Sequence, residues 1–88
     1  MTALKLLDVI ANTHPIPINR LTLVEPEYQH IQNLPSGQVG TIVSIYGEGS
    51  SHPQYLIEFA DPQGREYAMA TLEAEEILAI HFELSLAT

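Results

Sequence analysis

The sequence predicts an all-β (mainly β) fold: a small, SH3-like and partly open barrel of five to six short antiparallel strands, with one short helical turn before the last strand. Apolar residues recur with a period of two in several stretches, as is typical of strands covered on one face. Turn-forming glycine, proline, asparagine and aspartate separate these stretches at short intervals. The 88 residues provide for a single domain, 1–88, and closing its sheet into a barrel removes exposed strand edges. A plain meander sheet is the alternative architecture.

One strand and a long connection account for the first part of the chain. Residues 4–11 form an apolar run with enough branched side chains for a strand, and the two prolines in residues 12–17 end it. We interpret residues 12–35 as a long connection. Within it, residues 19–24 fit a short strand, and residues 26–33 fit one or two helical turns that a proline opens.

The clearest strand lies at residues 38–46, directly after a turn at residues 34–37. Four β-branched residues share one of its faces: Val39, Thr41, Val43 and Ile45. Neither face is fully polar, so we expect a strand that is partly covered on both sides. Gly40 within this run indicates either a β-bulge or the close approach of another backbone.

Residues 55–71 are predicted to form a β-hairpin. Three apolar side chains of its first strand, 55–60, share one face: Tyr55, Ile57 and Phe59. The turn at residues 61–64 reads Asp-Pro-Gln-Gly, in which proline presets the second position and glycine closes the turn. Residues 65–71 then return as the antiparallel partner.

A helical turn and an amphipathic strand are predicted for the last part of the chain. Thr71 is expected to cap a turn at residues 72–76, where acidic side chains favour the positive end of the helix dipole. From Leu78 the period of two returns, and apolar residues share one side as far as Leu86. Residues 82–88 form a C-terminal extension of this strand.

The charge of the chain restricts its partners. Eleven acidic residues against three basic ones give a formal net charge of −8. Proteins that bind nucleic acid neutralise phosphates with lysine and arginine, and a negative field repels both phosphates and anionic lipids. We therefore expect no nucleic acid and no membrane among its partners, and a basic protein as the favoured one. Solubility alone is the simpler explanation of this acidity.

Cysteine usage and hydropathy restrict the compartment. The chain has no cysteine, which excludes disulfides, thiolate catalysis and thiolate metal sites and fits a cytoplasmic location. Lys5 and Asp8 interrupt the first apolar run, so that it resembles a strand more than a signal peptide. No apolar stretch approaches the ~20 residues of a membrane-spanning helix.

No group of residues has the pattern of a catalytic or metal site, and we predict neither an enzyme nor a bound cofactor. The four histidines lack ligand spacing: His14, His30, His52 and His81. Glu58 and Glu66 are expected to approach each other across the hairpin with Arg65 beside them. We interpret this group as a solvated outer face and not as an acid–base pair.

Four segments carry a resemblance to a known family. They are Leu-Leu-Asp-Val-Ile-Ala, Gly-Gln-Val-Gly-Thr-Ile-Val-Ser-Ile-Tyr, Tyr-Leu-Ile-Glu-Phe-Ala-Asp and Ala-Met-Ala-Thr-Leu-Glu-Ala-Glu-Glu-Ile-Leu, within residues 6–11 and 37–80. In these the chain resembles short bacterial proteins, common in cyanobacteria, that are catalogued as domain of unknown function 4926. The resemblance implies a small SH3-like barrel and assigns no activity. The 12–35 connection and the 82–88 tail depart from the family pattern.

We expect a non-catalytic protein-interaction module, an accessory protein that binds a basic partner as an antitoxin or immunity-type protein does. SH3-like barrels offer aromatic grooves to extended peptides. The candidate exposed aromatics are Tyr28, Tyr46, Tyr55 and Tyr67, and half-burial of strand tyrosines with a solvated hydroxyl is an alternative that fits them at least as well. The candidate partner-binding residues are Tyr46, Tyr55, Tyr67, Glu73, Glu75, Glu76, Phe82, Leu84 and Leu86. The C-terminal strand could also pair with its copy in a homodimer.

Two alternatives stay open. One is a nucleic-acid-binding SH3-like barrel of the translation-factor type, which requires a basic face. The other is a metal- or small-molecule-binding protein, which requires histidines and carboxylates clustered in a pocket.

Overall fold

The computed structural model describes residues 4–80, and this part of the chain is all-β, as predicted. Its strands are β1 (Val9–Asn12), β2 (Ile16–Pro17), β3 (Thr22–Leu23), β4 (Asn33–Leu34), β5 (Val39–Tyr46), β6 (Gln54–Ala60), β7 (Glu66–Glu73) and β8 (Ile77–Ala79). Three short 3-10 turns cover Ile18–Arg20, Pro26–Tyr28 and Ala74–Glu76. Within the described residues, no helix has the length and apolar character that crossing a membrane requires.

Six of the strands form one antiparallel sheet in the order β3-β7-β6-β5-β1-β8, and β2 and β4 pair separately. Within residues 4–80 no ladder joins β3 to β8, so the sheet is open between its two edge strands. Its inner face carries the core. The largest fully buried side chains are Phe59, Ile10, Ile16, Leu34, Ile42, Ile57, Leu72 and Asn12.

The β6–β7 hairpin confirms the prediction for residues 55–71. Tyr55, Ile57 and Phe59 all face the core, because alternate residues of β6 point inward. The amide of Gly64 donates to the carbonyl oxygen of Asp61 over 2.8 Å, and Gly64 has a φ of +83° that glycine adopts without strain.

Gly40 marks a close approach, the second of the two explanations that the sequence allowed. A Cβ atom at this position would lie 2.6 Å from Ile57 Cγ2 and 2.8 Å from the carbonyl oxygen of Glu58. The bulge lies further along β5, where the register with β6 shifts between Ile42 and Ser44. Because the bulge inserts one residue, Ile42 and Ile45 both face the core, and the predicted alternation of faces over residues 38–46 holds only before it.

The first strand is shorter than predicted. It begins at Val9, because residues 5–8 form a turn in which the Asp8 amide donates to the Lys5 carbonyl over 3.1 Å. Leu7 within this turn has a φ of +71° and is 74% exposed. The prediction of a strand over residues 4–8 is therefore wrong.

The helical turn before the last strand also begins later than predicted. Thr71 lies inside β7, which continues to Glu73, and the Glu73 amide donates to Glu76 Oε2 over 2.8 Å, the bond that the third residue of a capping box accepts. Thr71 is therefore not the cap. In β8, Ile77 is buried and Leu78 is 61% exposed. The predicted continuation through residues 82–88 lies outside the described residues.

The 12–35 connection contains short elements that anchor it to the core. Ile16 of β2 pairs with Leu34 of β4, and both side chains are buried. The strand at Thr22–Leu23 pairs with β7, and the proline-opened turn occupies Pro26–Tyr28, as the sequence indicated.

Asn12 joins the two ends of this connection. Its side chain is 1% exposed, and its Nδ2 donates to the carbonyl oxygens of His14, at 2.8 Å, and Pro35, at 2.9 Å. Its Oδ1 accepts from the amide of Gln38 over 2.8 Å. Because every polar atom of the buried amide is paired, the contact carries no desolvation penalty for an unmade hydrogen bond.

Candidate functional site

An open groove of about 290 Å³ lies between the second half of the connection and the turn of the β6–β7 hairpin. We call it the tyrosine groove. Its apolar lining consists of Tyr28, Ile31, Leu34, Pro35, Ala60, Pro62 and Tyr67, and its polar lining consists of Asn33, Gln38 and Asp61. Small-molecule pockets start at about 300 Å³. The groove therefore has room for one or two side chains of a larger ligand and little more.

Two stacked tyrosines form one wall of the groove. The ring centroids of Tyr28 and Tyr67 lie 4.6 Å apart with 30° between the ring planes. The Tyr28 hydroxyl donates to Asp61 Oδ2 over 3.4 Å. Burial raises the pKa of both hydroxyls, so both stay protonated at neutral pH. The wall is thus neutral, aromatic and formed in advance.

Asp61 organises the floor of the groove and the hairpin turn. Its Oδ1 accepts from the amides of Gln63 and Arg65, each over 3.0 Å, and its Oδ2 accepts from Arg65 Nε over 3.0 Å. These bonds, led by the one from the Arg65 amide, hold the pKa of Asp61 below its ordinary value. Arg65 also pairs with Glu27 over 2.6 Å. Two carboxylates therefore share one guanidinium, which leaves the groove margin negative.

A second polar group links the two open ends of the sheet. Arg20, two residues before β3, donates from Nη1 and Nη2 to the carboxylate of Glu76, which precedes β8, over 2.8 and 3.0 Å. Its Nη2 also donates to the carbonyl oxygen of Thr71 over 3.2 Å. His14 Nε2 lies 3.2 Å from Glu76 Oε1. We call this group the Arg20–Glu76 clasp.

The clasp depends on the ionised form of Glu76. The hydrogen bonds from Arg20, with a further one from the Glu73 amide, lower the pKa of Glu76 to about 2. The carboxylate is 12% exposed, against 39% for the Arg20 side chain. The clasp is therefore charged at neutral pH, and its guanidinium end is partly solvated.

Three of the four tyrosines named from the sequence lie on strands β5, β6 and β7 and differ in their exposure. Tyr46 is 49% exposed at the end of β5, whereas Tyr55 is 7% and Tyr67 6% exposed. The expectation that Tyr55 and Tyr67 present exposed rings is wrong, because both face the core from adjacent strands. Tyr67 still lines the tyrosine groove, beneath Tyr28.

The acidic residues named from the sequence come together at the opposite end of β7 from Tyr67. The 3-10 turn at Ala74–Glu76 holds Glu75 exposed and Glu76 in the clasp. Glu73 is in register with Gln54, which is in register with Tyr46, so these three residues lie side by side on neighbouring strands. The predicted tail residues, Phe82, Leu84 and Leu86, lie outside the described residues.

Most of the groove and the clasp went unrecognised in the sequence. The spacing of Asp61 and Arg65 around a Pro-Gln-Gly turn is a local signal that could have indicated their pairing. Arg20 and Glu76 are 56 positions apart and carry no such signal. Within residues 4–80, no three histidine, aspartate or glutamate side chains cluster in a way that could hold a metal ion.

Glu58 and Glu66 lie close enough to affect each other, as the sequence indicated. The prediction that Arg65 lies beside them is wrong, because Arg65 pairs with Asp61 and Glu27 instead. Burial raises the pKa of the Glu58 carboxyl, and the neighbouring Glu66 carboxyl raises it further. An acid whose pKa is higher in the folded state destabilises the fold progressively as pH rises through that pKa. We therefore expect Glu58→Gln to raise the Tm by about 2–4 °C at pH 7 and to have little effect at pH 4. Calorimetry would measure this, with Glu48→Gln in an exposed loop as the control; an unchanged Tm at pH 7 would contradict it.

The fold and the site together define a small all-β protein with an acidic surface and a preformed aromatic groove. Residues 6–79 match the family model described as Domain of unknown function (DUF4926), and the chain belongs to that family. The family membership that the sequence segments indicated is thereby confirmed. Comparisons with the curated proteins and with the solved structures found no match.

Proposed function

We propose that this chain is a non-catalytic protein-interaction module whose partner is a basic protein. The distribution of charge carries the proposal. Two of the three cations are committed to internal ion pairs, Arg20 with Glu76 and Arg65 with Glu27 and Asp61. The carboxylates that make no ion pair within residues 4–80 are those of Asp8, Glu25, Glu48, Glu58, Glu66, Glu73 and Glu75.

An excess of unneutralised carboxylates favours one class of partner. It attracts a cationic surface and accelerates the encounter with it, and it repels nucleic acid. The internal pairing of Arg20 and Arg65 counts further against a nucleic-acid interface, since neither guanidinium is left to contact phosphates without breaking an ion pair. An accessory protein that neutralises a basic partner in the cytoplasm, as an antitoxin or immunity-type protein does, fits this charge.

An SH3-like, partly open barrel is the architecture we propose for the module. The strand order β7-β6-β5-β1-β8 and the 3-10 turn directly before β8 support it. The Arg20–Glu76 clasp supports it too, because it joins the segments that precede the two edge strands. Pairing of the C-terminal strand with its copy stays a prediction about residues beyond those described.

Capture from the native host tests the proposal. We expect the tagged full chain to retain a basic protein at low salt, encoded by an adjacent open reading frame, and to release it at about 0.5 M NaCl, where charges are screened within a few ångströms. Recovery of no basic protein would contradict the proposed function.

Neutralising Glu73 and Glu75, at the end of β7 and in the 3-10 turn that follows it, is expected to slow association with that partner. Because Glu75 is exposed and Glu73 lies beside it, the double change Glu73→Gln/Glu75→Gln should lower the association rate constant about fivefold at low salt, and much less at high salt. Surface plasmon resonance with the captured partner would measure both rates. The control is Ser51→Ala, an exposed neutral position. Equal rate constants for the double variant and the control would show that this end does not guide association.

A further inference from the structure

The tyrosine groove exposes apolar surface from two separate parts of the chain. Tyr28, Ile31 and Pro35 come from the 12–35 connection, and Pro62 comes from the hairpin turn. Pro35 and Pro62 are exposed, while Tyr28 and Ile31 are partly buried. An apolar concavity with polar groups at its margin is the usual form of a recognition site.

Both walls of the groove are fixed before any ligand arrives. The Tyr28 ring is held by its stacking on Tyr67 and by the bond from its hydroxyl to Asp61. The Pro35 wall is held by Asn12, whose Nδ2 binds the Pro35 carbonyl over 2.9 Å. A preformed site loses little conformational entropy on binding, so that even a small apolar contact contributes measurable affinity.

The charge at the groove favours a cationic ligand. Asp61 in the lining is ionised, Glu27 is adjacent to Tyr28 in sequence, and Arg65 is the cation that both contact. The Glu27 side chain is about half exposed and can still accept a hydrogen bond from a ligand. A ligand with arginine or lysine beside its apolar part therefore binds this groove more tightly, and a ligand with carboxylates is repelled.

The polar lining favours an extended ligand backbone over a helix. Asn33 and Gln38 line the groove, and the amide side chain of each carries both a donor and an acceptor. A helix has already paired its backbone groups, whereas a polyproline-type segment has no internal hydrogen bonds and leaves its carbonyls free to accept. Proline rings on such a segment also match narrow grooves lined by aromatic residues.

We propose that the tyrosine groove binds an extended, proline-containing segment of the protein partner, flanked by arginine or lysine. The proline rings pack between Tyr28 and Pro62, the segment backbone bonds to Asn33 and Gln38, and the flanking cations lie at Glu27. The inference rests on the proposed function, since it names the part of the basic partner that the module recognises.

A peptide titration tests the inference directly. The probe is a fluorescein-labelled peptide with a Pro-x-x-Pro core between two pairs of arginines, followed by fluorescence anisotropy and by shifts of the ¹⁵N-labelled amide resonances. We expect the amides of Asn33 and Gln38 to shift and Tyr28→Ala to raise the Kd at least about tenfold, the loss typical of a buried aromatic anchor. Replacing the peptide prolines by alanine, or its arginines by glutamate, should abolish binding. Leu6→Ala, an exposed apolar change outside the groove, should leave the Kd unchanged.

A second variant keeps the test valid if Tyr28→Ala does not fold. Pro62→Ala removes an exposed ring from the groove, and we expect it to fold and to raise the Kd about threefold. Equal affinity of Pro62→Ala and the unchanged chain, or shifts confined to amides outside the groove, would overturn the inference. So would a dimer in light scattering that Pro62→Ala dissociates, since a second copy would then be the occupant.

The two proposals fail in different ways. If the unchanged chain captures a basic protein and the groove variants capture it equally well, the groove inference is wrong and the proposed function stands. If the unchanged chain captures no basic protein, the proposed function is itself wrong.

Discussion

The Gly40→Val variant is expected to lose about 3 kcal/mol or more of its folding free energy. A Cβ at this position would lie 2.6 Å from Ile57 Cγ2 and 2.8 Å from the Glu58 carbonyl oxygen, so both a buried side chain and the backbone of β6 would have to move. Ile57 and Phe59, which face Gly40 from β6, are fully buried and have no free space to move into. Small domains have total stabilities of about 5–15 kcal/mol, so the loss is a large share.

Urea denaturation followed by circular dichroism would measure this loss. Thr41→Val is the matched control, because it places the same side chain at the next position of β5, on the other face. We expect the control to change the free energy of unfolding by less than about 0.5 kcal/mol. If Gly40→Val were as stable as the control, the close approach of β5 and β6 at Gly40 would be wrong.

Breaking the Arg20–Glu76 clasp is expected to weaken the dependence of the free energy of unfolding on pH below about pH 4.5. The pKa of Glu76 is about 2 in the folded state against an ordinary value of 4.5, so the ionised carboxylate stabilises the fold above pH 4.5. That contribution is lost progressively as pH falls from about 4.5 to about 2. The pKa shift sets an upper limit of about 3 kcal/mol on this contribution to the free energy of unfolding. Because the Arg20 side chain is 39% exposed, solvent screening reduces the expected contribution to about 2 kcal/mol.

Glu76→Gln tests the clasp when urea denaturation is repeated between pH 2 and pH 7. We expect the variant to be about 2 kcal/mol less stable than the unchanged chain at pH 7 and nearly equal to it at pH 2. Glu75→Gln, in the same 3-10 turn and outside the clasp, serves as the control. A constant difference between Glu76→Gln and the unchanged chain at all pH values would mean that the ionisation of Glu76 is not the source of the stability.

The parts of the fold that the sequence could predict are those with local causes. The β6–β7 hairpin follows from an alternating run, an Asp-Pro-Gln-Gly turn and a second alternating run. The bulge beside Ile42 has no residue that marks it, because it is set by how β5 meets β6. Thr71 is a preferred cap residue and Glu73 is not, yet the turn begins after Glu73 because the pairing of Gln54 with Glu73 extends β7 past Thr71.

The candidate site was less predictable because its residues meet only after folding. Tyr28 and Tyr67 lie on different elements, and their stacking depends on β3 pairing with β7. The burial of Tyr55 did have a local signal, since it shares a strand face with Ile57 and Phe59. That face could only be assigned to the core, so the alternation itself already counted against Tyr55 as a surface residue.

The buried amide of Asn12 separates two roles within one chain. It holds both ends of the 12–35 connection against the start of β5, through bonds to His14, Pro35 and Gln38. Exposed positions between those ends that make no contact with the core can therefore change without altering where the connection enters and leaves the sheet, since the geometry of its ends is set elsewhere. That connection supplies one whole wall of the tyrosine groove. Substitutions there can retune which ligand the module accepts while the scaffold that presents the groove stays constant.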